Sequence, residues 1–289
     1  MVKTIGNPLS WGARALQSSG HAVTEAVDGV ASHDLSPPLV RDLTMQDIRD
    51  ALRKGAADFA ASRSDVLFLV IIYPVIGALL IFIAFNQGLL PILFPMAAGF
   101  ALLGPLAGIG LYEMSRRREA GIDASWGAVL GSLRSRVMGP ELVLGAYLLG
   151  IFIIWIYVAD AIFQATLGPE LPTSIGAFIR DVFTTGAGWA MIVIGMAVGF
   201  LFAAVVLVMS LVSFPMLIDR PVGLPVAVST SIAVARRNPR VVAGWGLLVA
   251  VSLAVASIPL FLGLIVVMPV LGHATWHLYR AAVAHGESV

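Results

Sequence analysis

Two histidines, His273 and His277, lie four residues apart in an apolar stretch near the C-terminus. At that spacing they share one helix face, where two imidazoles can ligate one copper or zinc ion. They cannot supply the two opposite axial ligands of a single haem. Met268 lies about a turn away, and no further His, Cys or Met cluster completes a site. The competing reading is structural: both rings hydrogen-bond within a helical bundle, or His277 rests at an interface beside Trp276 and Tyr279. Two ligands on one helix need partners from elsewhere, so packing is favoured and no metal or cofactor is expected.

Carboxylates give a second constellation. No Asp or Glu lies deep in any apolar run; Glu113, Asp219 and His277 fall at the ends of three of them. They either form a shared polar cluster on one side of a membrane or stand separately, paired with Arg116–Arg118 and Arg220. Proton-coupled carriers usually hold an ionisable group at depth, so that class is disfavoured. A third feature is conformational: Pro105 and Gly108 in one run match Pro269 and Gly272 in another. Paired breaks of this kind point to a ligand path or to kinked packing, since Pro and Gly are common in membrane helices. There is no phosphate-binding loop, dinucleotide fingerprint or nucleophile elbow. No catalytic residue is assigned, and an enzyme is not expected.

The elements that position these residues are membrane helices. Hydrophobic residues make up 58% of the 289, charged residues 12%, and mean hydropathy is +0.92. Soluble domains are roughly 45–50% apolar and about a quarter charged. The net charge of +1 and the lack of a basic, aromatic-laced patch speak against nucleic acid as a partner. With no Cys, disulfides and thiolate chemistry are excluded. No cleavable signal is read before Ser64, and the first span is expected to act as the insertion signal.

Six spans are expected, at about 66–85, 89–112, 142–159, 188–217, 241–257 and 261–279. The last two form a hairpin near Pro259. A single helix over the 39 uncharged residues between Arg240 and Arg280 would be about 58 Å long, far thicker than a bilayer. Of the 18 Lys and Arg residues, all but Arg180 lie before Val66, between Glu113 and Pro140, from Arg220 to Arg240, or at Arg280. Basic residues stay on the cytoplasmic side. Both termini are therefore expected inside, with the 160–185 loop outside. Residues 1–40 are read as a disordered tail, 41–283 as a single membrane domain and 284–289 as a short tail.

Amphipathic helices are expected in the cytoplasmic segments. In 44–62, Met45, Ile48, Leu52 and Phe59 form a stripe, with Asp47, Asp50, Arg53, Lys54 and Asp58 largely off it. Thr44 and Asp47 resemble a capping box. In 113–140, Trp126, Val129, Leu130, Leu133 and Val137 share a face. Each unit of such a helix plus two spans appears three times. Leu103–Arg116 aligns without gaps to Val267–Arg280, with Pro, Gly, an aromatic and Arg coinciding. In the middle unit only Arg220 aligns clearly.

The blocks Ser213-Phe-Pro-Met-Leu-Ile-Asp-Arg220, Ser231 to Arg237-Asn-Pro239 and Leu262–Arg280 closely resemble the bacterial integral-membrane family called domain of unknown function 2189. Gly104-Pro-Leu-Ala-Gly-Ile-Gly-Leu-Tyr-Glu-Met-Ser-Arg116 is similar to its earlier signature. The resemblance implies a bacterial inner-membrane protein without an established activity. Some members carry the label of putative cytochrome c oxidase subunit. A haem–copper core needs more histidines than this chain offers in its spans.

The reading is an all-α, polytopic six-transmembrane-helix bundle in the bacterial inner membrane. Its expected role is that of a non-catalytic accessory or assembly factor for membrane complexes, respiratory ones among them. Its partners would be the lipid bilayer and other membrane proteins. The alternative is a transporter or lipid-handling protein with its site between spans two and six.

Overall fold

The computed structural model describes residues 38–62, 75, 77–79, 82, 90–136, 138–259 and 261–284. Among these the regular structure is all helix, with a single antiparallel bridge between Val40 and Val283. The first expected span, 66–85, lies largely outside the described residues, as do 1–37 and 285–289. The part of the expected tail that is described is tied down. Arg41 N donates to Ala282 O and Ala284 N to Leu39 O, at 2.8 and 2.9 Å.

Helix α1 spans Met45–Ala61. Asp47 reaches back to Thr44, accepting from both its N–H and its hydroxyl at 2.7 Å, which satisfies an orphan donor of the first turn. The buried face is Ile48, Ala51, Gly55 and Asp58. This corrects the sequence reading in one place: Asp58, read as off the stripe, lies on the buried face, while Met45 on the stripe is exposed. The 3,4,3 spacing from Ile48 to Asp58 is itself helical, so the pleasing apolar stripe hid an acid standing in register with it.

The second expected span is broken. Leu90–Ile92 and Ala101–Leu103 are 3₁₀ turns, and between and after them lie α2 (Leu93–Phe100), α3 (Gly104–Ala107) and α4 (Ile109–Glu119). Pro91, Pro95 and Pro105 each lack an N–H and crowd the preceding turn, which favours short helical pieces over one straight rod. Helix α5 (Trp126–Arg136) buries Val129 but leaves Leu130 exposed; Leu133 and Val137 of the expected five-residue face lie outside the described side chains.

Helix α6 runs over Met138–Thr166, overshooting the apolar run at both ends. The expected outer loop contains a helix, α7 (Ile175–Thr184). The fourth span divides into α8 (Gly186–Ser210) and α9 (Ser213–Asp219). Pro215 cannot donate to the Leu211 carbonyl, and a side chain from another helix occupies the division. Ser231 Oγ accepts from Val212 N at 3.2 Å and donates to Val208 O at 2.7 Å, standing in for the backbone bond between those two groups.

Ser231 belongs to α10 (Leu224–Arg237). Asn238 follows it, and Asn238 Oδ1 accepts from Leu43 N at 2.7 Å, holding the entry to α1. Helices α11 (Pro239–Ser257) and α12 (Leu264–Ala282) are separate and pack together, as the length argument required. The turn between them contains Phe261 at a φ of 64°, and Gly263 lies close enough to Ala256 that a Cβ there would meet its backbone at 2.7 Å.

Among the described residues, four stretches are long and apolar enough to cross a membrane: Leu90–Glu119, Gly139–Thr166, Gly186–Asp219 and Pro239–Ser257. Helix α12 is not among them. Its second half carries His273, His277 and Arg280, and its buried face packs on α1, α4, α9 and α11. Trp276, Leu278 and Tyr279 of α12 form the centre of the core with Trp245, Phe214 and Met216.

The packing partners follow a pattern. Helix α1 packs on α12, α5 on α4, and α10 on α8 and α9, while α4, α9 and α12 touch one another pairwise. Helices α1 and α12 approach closely: a Cβ on Gly55 would lie 2.6 Å from Ala274 N and 2.7 Å from Val270 O. Small residues permit such backbone proximity between helices.

Candidate functional site

Where α1, α4 and α12 meet, five polar side chains converge. Asp58 Oδ2 accepts from Ser115 Oγ at 2.7 Å and contacts His277 Nε2 at 2.8 Å. Asp58 Oδ1 lies 3.1 Å from Arg118 Nε. Ser115 Oγ is also 2.8 Å from His273 Nδ1. Helix α4 supplies Ser115 and Arg118 three residues apart, and α12 supplies the histidines four apart, so each pair faces α1.

The protons can be assigned by inventory. Burial pushes the Asp58 carboxyl up, but hydrogen bonds from His277 and Ser115, with the charges of the two rings, hold it below the ordinary aspartate value. An ionised Asp58 only accepts, so the single Ser115 proton goes to it. Ser115 must then accept from His273, which places the ring proton on Nδ1. His277 likewise carries its proton on Nε2. The remaining His273 Nε2 is buried and makes no hydrogen bond of normal geometry among the described residues, although the Leu111 backbone lies close to the ring.

This arrangement fixes what the site can do. A hydrolytic triad orders nucleophile, base and orienting acid in series. Here the acid binds the serine itself, and Ser115 and His273 are 1% and 0% exposed. The serine is thus enclosed between the carboxylate and the ring, away from the protein surface. The metal alternative needs both histidines to turn nitrogens to one ion, yet His277 Nε2 is engaged by Asp58 and His273 Nδ1 by Ser115. Among the described residues, no group of three His, Cys, Asp or Glu is arranged to hold a metal ion.

A second centre adjoins the first. Glu113 Oε2 accepts from Arg116 Nε at 2.6 Å, and its Oε1 accepts from Arg116 Nη2, Arg117 Nε and Ser132 Oγ at 2.8, 2.8 and 2.9 Å. Asp219 Oδ2 accepts from Tyr279 OH at 2.6 Å, with Arg220 at 3.6 Å and Arg280 at 3.7 Å. Arg280 also pairs with Glu119 at 2.9 Å, and Glu119 accepts from the Trp276 indole at 2.9 Å. Arg116 lies within electrostatic reach of Asp219. Glu113 and Asp219 thus join one network through arginine, while His277 belongs to the Asp58 centre.

The paired helix breaks come together as well. Helix α4 packs on α12, and the space at Gly272 is filled by Leu111, whose Cδ1 lies 2.5 Å from where a Cβ would stand. Pro269 is buried inside α12. Gly108 is covered by the ring of its own helix's Tyr112, and Pro105 begins α3.

Sequence reasoning missed Asp58, Ser115 and Ser132. Asp58 had a legible signal, its place on the 3,4,3 stripe. Ser115 had none, because a serine beside three arginines at a helix end looks solvated until α1 covers it. Buried, unlike most serines, it sits between two elements that are 57 and 158 residues distant in sequence.

Residues 93–219 match the family described as "Predicted integral membrane protein (DUF2189)". The match contains the Gly104–Arg116 signature and the start of the Ser213–Arg220 block; the blocks from Ser231 onward lie beyond it. No curated protein and no solved structure matches the chain. Over residues 93–219 the chain is similar to that family of predicted integral membrane proteins.

Proposed function

We propose that this protein is a non-catalytic accessory or assembly factor that stabilises other membrane complexes, respiratory complexes being the leading class. The observation that carries this reading is how its polar groups are used. Asp58, Glu113, Asp219, His273, His277 and Ser115 all bind one another or neighbouring arginines inside the helix packing. The outer walls, by contrast, present large apolar side chains such as Phe94, Tyr157, Phe200 and Leu247. Such a surface suits lipid and the apolar helices of other proteins. The carrier alternative draws no support from the seam between α4 and α12, which Leu111 fills.

The architecture proposed is six spans in the bacterial inner membrane, with both termini, α1, α5 and α10 in the cytoplasm. The partition of basic residues supports it. A threefold repeat is part of the same reading. Each amphipathic helix packs on the closing span of the preceding unit in a cycle: α1 on α12, α5 on α4, α10 on α8 and α9. Three polar side chains at corresponding places make these joints, with Asp58 meeting His277, Ser132 meeting Glu113 and Ser231 meeting the α8–α9 break. Glu113 and His277 are themselves equivalent in the ungapped alignment.

Quantitative purification in mild detergent tests the role: other membrane subunits are expected at fixed stoichiometry. A chain that purifies alone and moves a solute in liposomes would replace this reading with the carrier. Single-cysteine labelling in intact cells tests the topology, since the chain has no native Cys. Glu170→Cys is expected to react with an impermeant reagent, and reaction at Arg117→Cys would sink the orientation.

A further inference from the structure

The segment between α6 and α8 has three distinct sides. Helix α7 is capped by Ser174, whose Oγ accepts from Ala177 N at 3.1 Å. Its inner side is Phe178 and Val182; Phe178 stacks edge-on against Phe163 of α6 at 6.5 Å, and Val182 is buried. A second side carries Ile175, Ile179 and Phe183, every fourth residue, all exposed. The third carries Arg180, Asp181 and Thr184, also exposed. A helix that only roofed the bundle would need the first and third sides and no second.

We propose that α7 is an interfacial membrane helix, lying at the end of the bundle away from the arginine-rich segments, with Ile175, Ile179 and Phe183 sunk among phospholipid acyl chains. The exposed stripe is continuous with the exposed wall of α8. Trp189 near the start of α8 donates its indole N–H to Phe183 O at 3.1 Å, and both rings face outward. Tryptophan concentrates where headgroups meet hydrocarbon. From Trp189 to Ser210, α8 is roughly 30 Å long, the thickness of a bilayer core. Trp189 therefore marks one boundary of that core, and the α7 stripe lies beside it. With Arg180 and Asp181 on the opposite flank, the helix has the sidedness that seats an interfacial helix in the headgroup layer. The inference rests on α8 crossing the membrane; it does not depend on which face of the cell α7 occupies.

The test uses the full chain in vesicles of phosphatidylethanolamine with phosphatidylglycerol, spin-labelled at one cysteine at a time. The expected result is that Ile179→Cys and Phe183→Cys are relaxed more by oxygen than by a water-soluble nickel chelate, and Asp181→Cys the reverse. Chelate dominating at 179 and 183 would overturn the proposal by placing the stripe in water. Immobile labels there, shielded from both relaxants, would overturn it in favour of a second copy or another protein as the occupant. Impermeant thiol labelling at Asp181→Cys reports the side separately, so an inverted topology and a helix off the membrane give different results.

Discussion

Replacing Asp58 with asparagine removes a charge and almost no volume from the joint between α1, α4 and α12. Asparagine offers one acceptor oxygen. Turned toward Ser115 and His277, it leaves its amide facing Arg118, donor against donor at about the native 3.1 Å. Arg118 is 45% exposed and can swing into water, so that loss is worth about 0–1 kcal/mol. The bonds from Ser115 and His277 persist but lose the charged acceptor, at about 1 kcal/mol each. The release of α1 should therefore become easier by about 2 kcal/mol, or about thirtyfold in an opening equilibrium. Ala51→Cys reads that opening, because Ala51 is buried on the same face of α1. Thiol labelling at 51, normalised to the unfolded chain, is expected to quicken about thirtyfold in Asp58→Asn, while Val129→Cys on α5 changes little. A change under about twofold at 51 would refute the reasoning, and equal acceleration at both positions would show general unfolding instead. Acid provides a second check. Asp58 titrates below its ordinary value when folded, so its contribution is complete above the unfolded value and is lost as pH falls through the folded one. The gap between wild type and Asp58→Asn should begin to narrow as pH falls below the unfolded aspartate value of about 4 and close only below the lower folded one.

Gly55→Ala is expected to destabilise by about 1–3 kcal/mol, although alanine is the better helix former, because its Cβ meets the α12 backbone at 2.6 Å; thermal inactivation half-lives in detergent measure this. Asn238→Ala leaves the buried Leu43 N–H unpaired and should cost about 1–3 kcal/mol, with faster proteolysis ahead of α1 as the readout. His273→Asn should leave the protein folded, and freshly purified wild type should hold metal only below stoichiometry. One tightly bound copper or zinc per chain, lost in both His273→Ala and His277→Ala, would reinstate the metal site.

The apolar runs, the helix cap at Thr44, the proline breaks after Leu90 and the turn before Leu264 were all determined by the sequence. Each depends on hydrophobicity or backbone sterics acting within a few residues, which is the range a sequence displays directly. The divided fourth span was decided only in part locally, by Pro215; Ser231 reaching across from another helix satisfies backbone groups freed at the break. The company of the two histidines was decided elsewhere: their spacing placed them on one face, but only the packing of α1 and α4 showed that Asp58 and Ser115 fill it. Met45 and Leu130 were placed on apolar faces by periodicity, and both are exposed. Periodicity reveals which side of a helix is apolar. It cannot reveal whether lipid, solvent or a distant helix meets that side, because this depends on contacts between residues far apart in the chain.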